Sequence, residues 1–143
     1  MIITQTPLRI SLAGGGTDLA AYYTLGDGAV VSAAIDKYVY VIVNQRFDDK
    51  IYISYSQKEI VDSVDEIRHE LVREALRKAG VERGVEIAIM ADVPSEGSGL
   101  GSSSSLTVGL LNAFHTYRGF QAPAEQLARE ACEIEIDKCG KPI

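Results

Sequence analysis

The chain has no apolar run long enough to cross a bilayer. Its longest, around GAVVSAAI (28–35) and YVYVIV (38–43), fall far short of the ~20 residues that a membrane helix needs. A secretory leader is not expected either: MIITQTPLRI lacks a basic start and a sustained apolar stretch. Basic residues are scattered and the net charge is −6, so neither nucleic acid nor a membrane surface is an expected partner. Cysteine is scarce. Cys132 and Cys139 are the only two, seven apart, a spacing that shares a helix face and differs from a CxxC metal pair. Both are expected as reduced core thiols in a cytoplasmic protein. Histidine is equally scarce, and neither His69 nor His115 has a cysteine or a second histidine at ligand spacing. They are expected to be structural, and no Ser-His-Asp arrangement has support.

What is present is ordinary globular material. With 46% hydrophobic and 24% charged residues over 143 positions, one domain with a real core is expected. The alternation of Tyr38, Val39, Tyr40, Val41, Ile42 and Val43 predicts a strand. Ala29–Ile35 predicts another before it. A turn at Asp48-Asp49 then predicts a hairpin, with Ile51, Ile53 and Tyr55 returning on one face.

Ser63-Val-Asp-Glu66 matches a capping box, so a helix carrying Val64, Ile67, Leu71, Ala75 and Leu76 is expected from there to Gly80. Val85, Ile87 and Ile89 alternate as a strand, and Leu106, Leu110, Leu111 and Phe114 recur at helical spacing. A last helix should start near Pro123 and end at Gly140. Strands first, then strand–loop–helix and helix–helix units, predict an α+β or mixed α/β two-layer fold built on one sheet. The chain stops at Cys139-Gly-Lys-Pro-Ile143, at a turn where another element is expected.

Residues 94–105 read PSEGSGLGSSSS, between a predicted strand and a predicted helix. A helix amino end presents unpaired N–H groups and a dipole that attracts phosphate. Glycine lets the backbone approach a ligand closely, and serine hydroxyls supply further oxygen ligands. A Walker A loop needs a lysine after its last glycine, whereas Ser102 follows Gly101. A Rossmann fingerprint needs GxGxxG after the first strand, and the spacing here is GxGxG deep in the chain. Periodic elements close by on both sides argue against a flexible linker. The stretch therefore reads as a phosphate-cradling loop, with a merely structural turn between strand and helix as the plain alternative.

Glu135 stands out on helical geometry. Ala128, Ala131, Cys132, Glu135 and Cys139 fall on one stripe, which puts a carboxylate on an apolar face. Such a group needs a partner. A metal ion is one; water or an arginine at the rim is the plain alternative.

P-x-x-G-x-G-L-G-S-S resembles the second motif of the GHMP kinases, the superfamily of galactokinase, homoserine kinase and mevalonate kinase. PLRISLAGGGTD (7–18) resembles the first motif, P-x-R-x-x-L-x-G, which lines the phosphoryl acceptor site. The ending GGGTDL is most similar to the D-glycero-D-manno-heptose 7-phosphate kinase branch and its fucokinase-like relatives. Galactokinases carry G-E-H-T-D, so Gly15 and Gly16 stand in place of two sugar-contacting side chains, which argues against galactose.

The resemblance implies a ribosomal protein S5 domain 2-like fold, ATP and Mg2+ as cofactors, and a sugar or sugar phosphate as acceptor. It implies that Pro94, Gly97, Ser98, Gly99, Leu100, Gly101, Ser102, Ser103 and Ser104 wrap the ATP phosphates. Ser103 and Glu135 would hold the metal. Gly15, Gly16, Thr17 and Asp18 would line the sugar site, and Arg9 would stabilise charge on the substrate or in the transition state. It covers all 143 residues but only the amino-terminal half of a family member. The general base is expected beyond Ile143, together with a C-terminal domain, so this chain by itself is expected to be inactive.

Overall fold

One sheet organises the chain in a computed structural model, which describes residues 1–94 and 98–141. Strand β1 (Ile2–Ala13) pairs antiparallel with β2 (Val31–Gln45) from Ile2 opposite Val43 to Ala13 opposite Val31. The predicted strands at 29–35 and 38–43 are therefore one. The strand runs on through Asp36 and Lys37, where its register with β1 shifts between Pro7 opposite Tyr38 and Arg9 opposite Ala34.

Strand β3 (Ile51–Ser54) does not return beside β2, as the hairpin expectation had it. It pairs antiparallel with β4 (Lys58–Val61), which the sequence reading did not anticipate, and parallel with β5 (Val85–Ala91). The sheet order is β1-β2-β5-β3-β4, with β5 inserted beside β2. The reason lies after β2. Arg46 N–H donates to the Gly84 carbonyl at 2.8 Å and its guanidinium reaches Glu86 at 3.1 Å, so the connection steps over the start of β5. A two-pronged bond from Arg46 to Asp48, at 2.8 Å on each prong, holds that step.

Helices cover one face. They are α2 (Glu70–Ala79), α3 (Ser102–Tyr117) and α4 (Ala124–Cys132), after a short α1 (Ala20–Tyr23) near the first glycine turn. Val41, Val43, Ile51, Ile53, Val85 and Ile87 point from the sheet into the core. Leu71, Leu76, Leu110, Phe114 and Ile134 meet them from the helices. The result is the two-layer α+β arrangement expected. The opposite sheet face is uncovered, with Ile3 and Met90 more than half exposed.

Two helix expectations need correction. Ser63–Glu66 does not open a helix: Val64–Glu66 is a single 3-10 turn, and the Ser63 hydroxyl bonds the Glu66 carboxylate instead of a backbone amide. The two amides leading into α2 go to Glu59 of β4, which accepts from Arg68 N–H at 2.7 Å and His69 N–H at 3.2 Å. A carboxylate reaching over from a neighbouring strand leaves no local sequence signal. Gly80 does end α2 in the left-handed conformation, at φ +68°.

The last helix is not one regular stripe. A π-helical turn, Glu133–Lys138, follows α4 and shifts the repeat. Leu127, Ala131, Ile134 and Glu135 are buried, whereas Ala128 and Cys132 are exposed and Cys139 is half-buried. Cys132 is thus no core thiol.

Candidate functional site

The loop after β5 is tied down on both sides. Where β5 ends, Asp92 N–H donates to the Tyr38 carbonyl at 3.0 Å and the Asp92 carboxylate accepts from Tyr38 N–H at 2.9 Å. Pro94 follows, exposed; Gly97 lies outside the described residues. Gly99 and Gly101 both have positive φ, +65° and +73°. A side chain at Gly99 would meet open space, so its backbone angle is what calls for glycine. At Gly101 a Cβ would also sit 3.1 Å from the Arg9 guanidinium carbon.

Helix α3 starts immediately after Gly101, which has no side chain to cap it. Its first turn is turned toward Glu135. Ser103 Oγ donates to a Glu135 carboxylate oxygen at 2.9 Å, and Ser104 Oγ reaches the same oxygen at 3.5 Å. Glu135 is only 2% exposed. Burying a carboxylate is costly without such partners, and the serines supply them. The π-helical turn makes the placement possible, because it buries Ile134 in the core and Glu135 against the serines side by side. Ser98, Leu100 and Ser102 lie along the same path, half-buried.

The donors at Ser103 and Glu135 are hard oxygens. Magnesium prefers such ligands, and typically takes one or two carboxylates together with substrate phosphates. The pair fits that chemistry. Among the described residues no three His, Cys, Asp or Glu side chains converge on a metal site, so other ligands would have to come from the bound molecule and water.

Strand β1 connects this loop to the first motif. Arg9 N–H donates to the Leu100 carbonyl at 3.0 Å, and its guanidinium donates to the Gly99 carbonyl at 3.0 Å. From Arg9 the strand runs four residues to Ala13, about 13 Å at ordinary strand rise, and opens into the glycine turn. Here Gly14, which the sequence reading did not single out, is the demanding position. Its φ is +87° and a Cβ would lie 2.0 Å from the Ala29 carbonyl oxygen. Gly28 is similar, with a Cβ 2.5 Å from the Thr17 carbonyl oxygen. The only sequence signals were the first glycine of GGG and an Asp-Gly step.

Thr17 is used up locally. Its hydroxyl accepts from Ala29 N–H at 3.0 Å and has the Gly14 carbonyl at 2.8 Å and the Ala29 carbonyl at 3.0 Å as alternative acceptors for its one proton. It knits the glycine turn to residues 28–30. Gly15 and Gly16 have room for a side chain: a Cβ at Gly15 would come no closer than 3.6 Å to Ser11 Oγ, and one at Gly16 would meet nothing within 4 Å. They leave open space. Asp18 is half-buried and makes no hydrogen bond or ion pair with the described residues.

The remaining titratable pairs are structural. His115 Nε2 lies 2.7 Å from a Glu130 carboxylate oxygen and ties α3 to α4. Burial pushes Glu130 up, but hydrogen bonds from His115 and Gln126 outweigh it and hold the carboxyl below its ordinary range. His69 packs edge-on to Tyr55 at 4.8 Å, and burial pushes its pKa down. A cleft of about 560 Å³ between α2 and the π-helical turn is lined by charges that pair with each other, Lys78 with Glu133 and Arg77 with Glu74. None of its lining residues belongs to the glycine loop, and of its charged groups Lys138 alone has no partner among the described residues.

Among the described residues no helix is long and apolar enough to cross a membrane. The GHMP kinases N terminal domain family matches residues 66–142. A D-glycero-alpha-D-manno-heptose 7-phosphate kinase of Campylobacter jejuni is 35% identical, over 97% of this chain and 44% of its own. The L-fucokinase/L-fucose-1-P guanylyltransferase of Bacteroides fragilis is 27% identical, over 92% of this chain and 17% of its own. The crystal structure of a D-glycero-D-manno-heptose 1-phosphate kinase from Bacteroides thetaiotaomicron superposes with a TM-score of 0.87 at 26% identity, over 99% of this chain and 50% of that one. The chain therefore spans half or less of the length of these relatives. With the family match reaching from before α2 past the glycine loop to the turn that carries Glu135, the chain belongs to the GHMP kinases through their N-terminal domain.

Proposed function

We propose that the chain is the ATP-binding part of a cytoplasmic sugar kinase whose C-terminal domain lies outside it. The reaction is transfer of the ATP γ-phosphate to a sugar hydroxyl, with the anomeric hydroxyl of D-glycero-D-manno-heptose 7-phosphate as the favoured acceptor. The product would feed nucleotide-activated heptose for surface glycans. The 35% identity to the Campylobacter jejuni enzyme supports this acceptor. A fucose-like acceptor is the second reading, supported by the Bacteroides fragilis relative.

One observation carries the nucleotide assignment: the buried Glu135 carboxylate is held by Ser103 where α3 leaves the glycine loop. Phosphoryl transfer is mostly positioning and charge stabilisation. Ser98, Gly99, Leu100 and Gly101, with the first turn of α3, bind the phosphates through backbone N–H groups and serine hydroxyls. Ser103 and Glu135 would hold Mg2+, which when bound offsets phosphate charge. Asp18 orients the sugar by accepting from neighbouring hydroxyls, and the space at Gly15 and Gly16 admits the ring. Thr17 holds that turn in shape. Arg9 places a positive charge beside the reacting groups. The residue that takes the acceptor proton is assigned to the missing part, so this chain binds nucleotide but does not turn over.

ADP release tests the assignment, measured with heptose 7-phosphate and with fucose on this chain and on a protein extended through the C-terminal domain. Turnover only in the extended protein, and with the heptose, is expected. Equal, sugar-dependent turnover by the 143-residue chain would refute the division of labour.

A further inference from the structure

Arg9 carries more than the acceptor-side charge assigned to it above. We infer that Arg9 is a positioning residue for the glycine loop, fixing which way its peptide groups face before any nucleotide arrives. This rests on the reading of the loop as a phosphate cradle.

Two successive loop carbonyls, Gly99 and Leu100, point at the same residue of β1: one takes the Arg9 guanidinium at 3.0 Å, the other the Arg9 backbone N–H at 3.0 Å. In a trans peptide the N–H points opposite to the carbonyl. Turning those carbonyls toward β1 therefore turns the N–H groups of Leu100 and Gly101 away from it. Leu100 N–H meets only the Ser98 hydroxyl, at 3.4 Å, and Gly101 N–H has no partner among the described residues. Those two donors are left for an incoming anion.

Arg9 itself forms no ion pair with any described carboxylate. Its charge is not spent on the fold. Its stem lies against Gly101, where a Cβ would come within 3.3 Å of Arg9 Cγ, so the small residue and the arginine fit together. The backbone bond from Arg9 survives any substitution there, whereas the guanidinium bond does not. Loss of the side chain frees the Gly99–Leu100 peptide to flip while the Leu100–Gly101 peptide stays anchored.

The test uses ¹⁵N-labelled 143-residue chain, wild type and Arg9→Met, first without ligand. The Leu100 and Gly101 amide resonances should shift or broaden in R9M while those of β2 and β5 stay in place. Affinity for MgATP and for inorganic tripolyphosphate should then fall about tenfold, the loss expected for one hydrogen bond from a charged group. Should R9M not fold, Arg9→Gln, too short to reach Gly99, serves in the same comparison. Unchanged loop amides with weakened binding would overturn the proposal, since Arg9 would then act by touching the phosphates directly. Unchanged amides with unchanged binding would overturn it too. A wild-type chain that binds neither probe would contradict the nucleotide reading separately; the ligand-free amides would still decide whether Arg9 sets the loop.

Discussion

Gly109 sets how closely α3 approaches β1, and Gly109→Ala tests that packing. A Cβ there would lie 2.8 Å from Thr6 Oγ1, 3.5 Å from Val41 Cγ2 and 3.6 Å from Thr4 Oγ1. The first distance is shorter than any relaxed contact, and a β-branched threonine has few rotamers to escape into. Thr4 Oγ1 donates to the Gly109 carbonyl at 2.9 Å, and the same shift would strain that buried bond. Replacing glycine in a helix interior is intrinsically worth about 1 kcal/mol in favour of alanine. Against it stand about 1–3 kcal/mol for overpacking and about 1 kcal/mol for the weakened hydrogen bond. The balance is a net loss of about 1–3 kcal/mol, a fall in Tm on the order of 3–10 °C for a domain of this size. Urea unfolding with an unchanged slope would measure it as a stability change. If G109A instead raised Tm, helix propensity would dominate. The close approach of α3 to β1, which also brings Ser105 Oγ to the Pro7 carbonyl at 2.9 Å, would then not be tight.

Other expectations concern the first glycine turn and pH. Gly14→Ala should cost at least about 2 kcal/mol, because it combines a disfavoured backbone angle with a clash against backbone. Gly16→Ala, facing open space, should stay within about 0.5 kcal/mol of wild type; equal melting temperatures for the two variants would contradict the turn geometry. Burial holds the folded His69 pKa below its unfolded value of about 6.5. Neutral His69 therefore contributes stability in full above that value, and the contribution is lost as pH falls toward the folded pKa. Tm should decline from about pH 7 to pH 5.5, and His69→Gln should flatten that decline; an equally steep slope in the variant would rule His69 out as its source.

The elements most visible in the sequence were those with local causes. Alternating valines marked β2, Val85, Ile87 and Ile89 marked β5, and Gly80 marked the end of α2, since each depends on its own backbone or on the face it buries. The glycine-serine loop was legible from its place between a strand and a helix. What was not legible depended on distant partners. The insertion of β5 between β2 and β3 rests on contacts from Arg46 to Gly84 and Glu86, nearly forty residues away. The segment leading into α2 is held by Glu59 rather than by Ser63. At the site, Glu135 was found by periodicity even though Cys132 on the same predicted stripe is exposed. The π-helical turn moved the neighbours and left the carboxylate buried. Gly14 escaped notice because its need for glycine comes from Ala29 across the turn.

The most direct measurement is calorimetric titration of this chain with ATP, with and without Mg2+, in wild type and Glu135→Gln. Glutamine keeps the size and an acceptor for Ser103 but removes the charge. The account predicts that Mg2+ tightens ATP binding to the wild type by about tenfold or more, as expected for a charge-assisted contact, and barely affects E135Q. Equal enhancement by Mg2+ in both proteins would show that Glu135 is only a buried partner for the serines, and would contradict the central claim.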